Sequence, residues 1–380
     1  MKKVCVISTL NHNVGDDFVR AGILSLLHEV LGEIEVQTIH KHFPATVRGG
    51  IWTRIDTLTR GLSDRFSWRT RLSRIADRLP MHPRTDLALS SDLIVQSGAP
   101  VYWLNNYSKC AHTEWFRPVI ERRWLRLKER VPLLNLGAGS CQSWGSLGVE
   151  ISEDTECRTY IDQFTRWCSL TTVRDALAQR IVRECGHEVP LLPCPSIFAP
   201  DATGVQPKDG EYVALNYMPN GGHYELDGRS AELGRRWEKV FCEEARLLAG
   251  QQRCLMICHD QKELEQAAHL LPDIPRFFST EWQDYLDAYS RCCFAVVNRV
   301  HGAVVTAAMG KSVLLTGNDS RLLTAAEVPG ITVLPVPEAV TSLRTEVQGL
   351  SARTRIVCPR SFIEETREKY LSLLRPILRP

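Results

Sequence analysis

Short β-branched runs, each followed by a stretch with apolar residues at helical spacing, recur along most of the chain, and this alternation restricts the fold more than any other property. Val4–Ser8 leads into 16–31, where Phe18, Ile23, Leu27, Val30 and Leu31 form one stripe. Further strands are expected at 36–39, 93–96, 133–136 and 170–173. Such alternation builds a parallel sheet covered by helices. Over 199–210 the text changes: Pro, Gly and Asp crowd together and Val205 is the one large apolar residue. Beyond it the rhythm restarts, with strands expected at 212–217, 254–258, 294–298 and 312–316 and helices at 230–249, 261–271, 282–291 and 301–309. The expectation is an α/β chain of two Rossmann-like domains, 1–200 and 208–380, facing a cleft, with a last helix over 362–378 closing across the back.

Several functional classes are disfavoured. With 46 basic and 44 acidic residues the chain is nearly neutral, and no nucleic-acid-binding motif accompanies its basic stretches. The first apolar run is too short for a secretory core, and none reaches the roughly 18 residues of a membrane span, so a cytoplasmic protein is expected. Thirteen cysteines without a CxxC pair read as buried thiols, and His40 and His42, although on one face of a strand, complete no zinc signature. Gly137-Ala138-Gly139 lacks the third glycine of a dinucleotide loop, and Asn13-Val14-Gly15-Asp16 lacks a P-loop's lysine. Neither a cofactor nor a metal is expected.

The chemistry gathers where strands end. The apolar run Val296-Val297 closes on Asn298-Arg299-Val300-His301-Gly302-Ala303, where small residues open a helix. Arg299 and His301 at that N-terminus describe either an anion site with a proton carrier or an ordinary helix start with a surface arginine. In the first half 170–173 delivers Arg174, with Asp175 suited to cap the next helix. Arg321, in Asn318-Asp319-Ser320-Arg321, is a third candidate cation, and His259-Asp260 ends another strand. Two stretches, Arg48 to Arg78 and Trp115 to Arg130, combine arginines with tryptophans, as a membrane interface or a solvated basic helix face does.

Taken in order, Asn13-Val14-Gly15-Asp16, Val173-Arg174-Asp175, Arg299-Val300-His301-Gly302 and Asn318-Asp319-Ser320-Arg321 resemble the polysaccharide pyruvyl transferase family, over about residues 4 to 335. The resemblance implies a GT-B-like fold, phosphoenolpyruvate as donor, and a sugar diol, free or lipid-linked, as acceptor. The product would be a cyclic pyruvate ketal, with phosphate released. Carried over by position, Arg174, His301 and Arg321 become the catalytic set, His301 acting as acid toward the enol carbon or as base toward a sugar hydroxyl, with the acid role favoured. Asn13, Gly15, Asp16, Gly98, Asp175, Arg299 and Gly302 become substrate-binding residues. Peripheral contact with the inner face of the membrane is a further expectation. Where the family carries a glycine cluster, this chain has Ser97-Gly98-Ala99-Pro100. Two rival readings remain: a GT-B nucleotide-sugar glycosyltransferase, suggested by Asp319 and Glu327, and a non-catalytic glycan-intermediate-binding protein.

Overall fold

The computed structural model describes residues 1–10, 13–41, 85–104, 115–121, 124–127, 130–222, 230–352 and 357–379. The stretch 48–78, His42, Arg122 and Arg123 lie outside the described residues. Two six-stranded parallel sheets organise the chain. The first contains β1 (Lys2–Ser8), β2 (Ile34–His40), β3 (Leu93–Ser97), the short β4 (Pro100–Tyr102), β5 (Leu133–Ser140) and β6 (Leu170–Val173), in the order β2-β1-β3-β5-β4 with β6 also on β5. Without the β4 spur this is the flavodoxin-like order, whose switch point lies between β1 and β3. All eight residues of β5 are buried, as expected of a parallel strand covered on both faces.

The second sheet is β12-β11-β10-β7-β8-β9, formed by β7 (Tyr212–Leu215), β8 (Cys254–Ile257), β9 (Arg276–Phe277), β10 (Cys292–Val297), β11 (Ser312–Gly317) and β12 (Ile331–Pro335). That is the doubly wound dinucleotide-fold order, with its switch point between β7 and β10. The helices are α1 (Val14–Leu31), α2 (Thr155–Trp167), α3 (Ala176–Glu184), α4 (Ser230–Gln251), α5 (Gln261–Leu270), α6 (Trp282–Ser290), α7 (Val300–Ala308), α8 (Val336–Ala352) and α9 (Arg360–Leu378), with shorter turns between them.

The two halves are cemented by more than a linker. One apolar cluster runs from Val4, Phe18 and Leu26 through Ile197 and Phe198 to Val297, Ala303 and Leu315. Phe18 of α1 meets Trp282 of α6, which packs against this cluster, edge to face with ring centroids 6.2 Å apart. A methyl on Gly22 would lie 1.8 Å from the Pro195 carbonyl oxygen, so α1 can seat there only through a glycine. Helix α9 returns to the first half, where Tyr370 donates to the Pro193 carbonyl at 3.0 Å and the Arg367 guanidinium lies 4.7 Å from the centre of the Phe198 ring.

Trp115 is fully buried and packs edge to face on Phe164 at 5.2 Å. It is therefore a core residue and not part of an interfacial belt. Trp124 stacks on Trp167 at 4.4 Å. Most of the described cysteines are buried. No helix among the described residues is long and apolar enough to cross a membrane.

Candidate functional site

Parallel sheets aim their carboxyl ends at a common crevice, and here the two sheets present theirs to each other. From the first half come the loops after β1, β3, β5 and β6; from the second come those after β7, β8, β10 and β11. Arg174 at the end of β6 and His301 in the first turn of α7 meet across the crevice, Arg174 Nη1 standing 3.0 Å from His301 Nε2. Both are buried, at 2% and 6% exposure. Arginine can only donate, so Nε2 accepts and the neutral ring carries its proton on Nδ1.

The rest of the Arg174 guanidinium is unusual. Nε and Nη2 are buried and have no hydrogen-bond partner, although burying a charged donor without an acceptor is costly. Those two nitrogens form the edge that binds carboxylates and phosphates in a fork. Gly139 of β5 makes room for them: a methyl there would lie 2.7 Å from Nε. His301 is held well below the ordinary histidine range, first by burial, then by repulsion from Arg174, Arg321, His259 and Arg299. At neutral pH it is an uncharged ring among cations.

Gly15 closes on His301 from the first half. The loop before α1 is tied by Asn13, whose Oδ1 accepts from the Gly15 N–H at 3.1 Å, and a methyl on Gly15 would collide with the imidazole, lying 2.2 Å from His301 Nδ1. Asp16, next in sequence, is 5% exposed, leaves Oδ1 buried without a partner, and attracts Arg321. The Arg321 side chain is largely buried, with Nε and Nη2 donating to Asp319 at 2.8 and 2.6 Å.

Other expected ligand-contacting residues are engaged by the frame. The fork of Arg299 is closed by Glu263 at 2.6 Å and Asp260 at 2.5 Å. Asp175 accepts from Ser140 N–H and Oγ and caps α3 by accepting from the Ala178 N–H at 2.7 Å. Gly302 permits close packing: a methyl there would meet the Tyr289 hydroxyl at 2.6 Å, and that hydroxyl bonds His259 Nε2 at 2.8 Å. Gly98 lies under α1, where a methyl would come 2.2 Å from Val19 Cγ1. Ala99 follows in the left-handed region at φ 66°, a conformation that ordinarily costs a residue with a Cβ about 1 kcal/mol. Asp319 is buried beneath Arg321, whereas Glu327 is exposed.

Two residues that the sequence reading does not single out, Asn216 and Glu263, organise the second half. Asn216 Nδ2 donates to the Ile257 carbonyl and to Glu263 Oε2, both at 2.9 Å, while its Oδ1 accepts from the Arg299 N–H at 3.0 Å. Asn298 joins β7 to β11, accepting from the Met218 N–H at 2.8 Å and donating to Thr316 Oγ1 at 2.7 Å. The signal for Asn216 is a buried-type polar residue ending an apolar strand beside a switch point.

Comparisons with known proteins agree with this architecture. The family model described as polysaccharide pyruvyl transferase matches residues 13–320. No curated protein matches the sequence. Among solved structures, S. aureus MnaA in complex with UDP is similar at a TM-score of 0.53 and 12% identity, covering 100% of this chain and 97% of that one. The UDP-GlcNAc 2-epimerase of Methanocaldococcus jannaschii, solved with UDP-GlcNAc and UDP, is similar at 0.53 and 9%, covering 98% and 99%. A putative UDP-N-acetylglucosamine 2-epimerase from Listeria monocytogenes is similar at 0.52 and 10%, covering 100% and 96%. At such identities the likeness is one of fold: two Rossmann-like lobes in a GT-B-like arrangement.

Proposed function

The chain belongs to the polysaccharide pyruvyl transferase family, and on that footing we propose that it moves the enolpyruvyl group of phosphoenolpyruvate onto two hydroxyls of a sugar, forming a cyclic ketal and releasing phosphate. The observation that carries this reading is the unpartnered Nε and Nη2 edge of buried Arg174, one hydrogen bond from His301. A buried cationic fork without an acceptor calls for a phosphate or carboxylate, and phosphoenolpyruvate carries both. Arg321 adds positive charge from the other lobe, although Nε and Nη2 of its fork are held by Asp319.

The reaction balances with two protons. A proton added to the methylene carbon of the enol makes the methyl group and leaves an oxocarbenium-like centre, which the first sugar hydroxyl attacks. The bond from the attacked carbon to the phosphate's bridging oxygen then breaks, phosphate leaving with the bonding pair and the oxygen, and the second hydroxyl forms the new carbon–oxygen bond in its place. The two hydroxyls lose two protons, one replacing that given to the methylene carbon and one leaving with phosphate. His301 is the residue we assign to this traffic. In the free site it is neutral with Nε2 taken by Arg174, so it accepts a hydroxyl proton only once a bound anion draws the guanidinium off that nitrogen. A bound phosphate and carboxylate would offset the repulsion from Arg174 and Arg321, letting the ring hold the proton that the enol carbon needs. The acceptor is a glycan or glycan precursor, taken without a cofactor.

Heat protection tests the donor. Phosphoenolpyruvate at about 100 times its Kd is expected to stabilise the protein by about 2.7 kcal/mol, with UDP- and GDP-sugars giving no shift. The reverse pattern would support the nucleotide-sugar reading and overturn this one. His301→Ala is expected to lower phosphate release by about 10²- to 10⁴-fold with phosphoenolpyruvate binding retained. Full activity in that variant would remove His301 from the chemistry. Gly139→Ala puts a methyl 2.7 Å from Arg174 Nε and 3.0 Å from Asp175 Oδ2, so it is expected to fold with some loss of stability, the arginine giving way beside the firmly held carboxylate. By shifting Arg174 it should nonetheless weaken phosphoenolpyruvate binding about tenfold or more, as titration calorimetry would read.

A further inference from the structure

We propose that Ser140 and Ser320 form a latch between the two lobes that fixes the spacing of Arg174 and Arg321, making Ser140 a positioning residue of the donor site; the importance of that spacing rests on the pyruvyl-transfer reading. The loop after β5 lies directly against the loop after β11. Ser140 Oγ and Ser320 Oγ are 2.9 Å apart, the Gln142 N–H donates to Ser320 Oγ at 2.9 Å, the Ser320 N–H donates to the Gln142 carbonyl at 2.8 Å, and the Trp144 N–H donates to the Asn318 carbonyl at 3.0 Å. Both serines are buried, at 0% and 2% exposure.

Counting protons gives the chain a direction. Ser140 Oγ donates its single proton to Asp175 Oδ1 at 2.8 Å, so the hydroxyl between the serines must be donated by Ser320. The order is therefore Gln142 N–H to Ser320, Ser320 to Ser140, and Ser140 to a buried carboxylate. Burial pushes the Asp175 carboxyl up, against which donors from Ser140 N–H, Ser140 Oγ and Ala178 N–H favour its ionised form, and a chain that ends on such an acceptor is strengthened by it. Two of its members adjoin the two cations: Asp175 follows Arg174 directly, and Ser320 directly precedes Arg321. The distance across the crevice is thereby set by side chains one residue from each guanidinium.

The test has two arms. Hydrogen–deuterium exchange on the ligand-free protein reads the latch without reference to any substrate. Ser140→Ala and Ser320→Ala should each speed exchange in peptides spanning both 140–146 and 318–322, including the loop that carries no substitution. Unchanged exchange in the unsubstituted loop would overturn the latch. The second arm measures phosphoenolpyruvate turnover. Each single variant should raise KM about five- to tenfold with kcat within about twofold, and the double variant should be no worse than either single one, because both break one chain. Additive effects, or an unchanged KM beside faster exchange, would overturn the positioning role. Failure of the wild-type protein to bind phosphoenolpyruvate would instead overturn the functional reading, with the exchange arm still deciding the latch.

Discussion

Arg174→Met is expected to make the ligand-free protein more stable and to remove most of its stabilisation by phosphoenolpyruvate. In the free site Nε and Nη2 of Arg174 are buried without acceptors, and each unmade hydrogen bond of this kind costs about 1–3 kcal/mol. Methionine fills similar space without donors and adapts to irregular surroundings. Against that gain stand the lost bonds from Arg174 Nη1 to His301 Nε2 and Cys194 Sγ. The net expectation is a stabilisation of about 1–2 kcal/mol. Anion binding should weaken by about 2–5 kcal/mol, roughly 30- to 5000-fold. Scanning calorimetry with and without phosphoenolpyruvate reads both effects. A lower melting temperature in the free variant would mean that the guanidinium is already satisfied, and the anion-site reading would fall.

The same substitution at Arg299 should act in the opposite sense. Arg299→Met is expected to destabilise the fold by about 3–5 kcal/mol, the usual effect of breaking a buried ion pair from one side. Its fork holds Glu263, whose side chain is 4% exposed, together with the more accessible Asp260. Removing the guanidinium strands the Glu263 carboxylate and loosens the first turn of α7, from which His301 projects. Urea denaturation should show the loss, and Glu263→Gln in the same chain should recover part of it by removing the stranded charge. If Arg299→Met unfolds at the wild-type urea concentration, the pair contributes no net stability. The two arginines would then not differ as their partners predict.

That contrast marks the reach of the sequence. Both arginines are visible in it as strand-end cations, because a parallel sheet brings the ends of its apolar runs to one side. β3 can be read directly for the same reason, since a strand covered on both faces must be a short apolar run, while β6, Leu-Thr-Thr-Val, is legible by its β-branched residues instead. The two-residue β9 carries no such pattern, and α2 escapes the strand-then-helix reading although its buried Cys157, Tyr160, Ile161 and Phe164 repeat at helical spacing. Within the site, spacing does not distinguish which arginine has partners. Arg299 is closed by Glu263 from the first turn of α5, whereas Arg174 is left open by Gly139. Nor does local pattern bring Arg174 to His301, 127 residues away; that meeting depends on how α1 seats between the halves. Gly15 is recognisable as a turn residue, but its tight approach to His301 belongs to the docking of the lobes.

The return of α9 to the first half has a consequence for how the protein is made. Tyr370, Leu371 and Leu374 belong to the same apolar cluster as Val4, Phe18 and Leu26, and Arg367 holds Asp201 and Glu29 beside α1. During synthesis the first lobe leaves the ribosome well before these residues exist. Until 360–378 have been translated and have cleared the exit tunnel, the outer face of α1 stays uncovered, and the nascent lobe waits with part of its core open to chaperones.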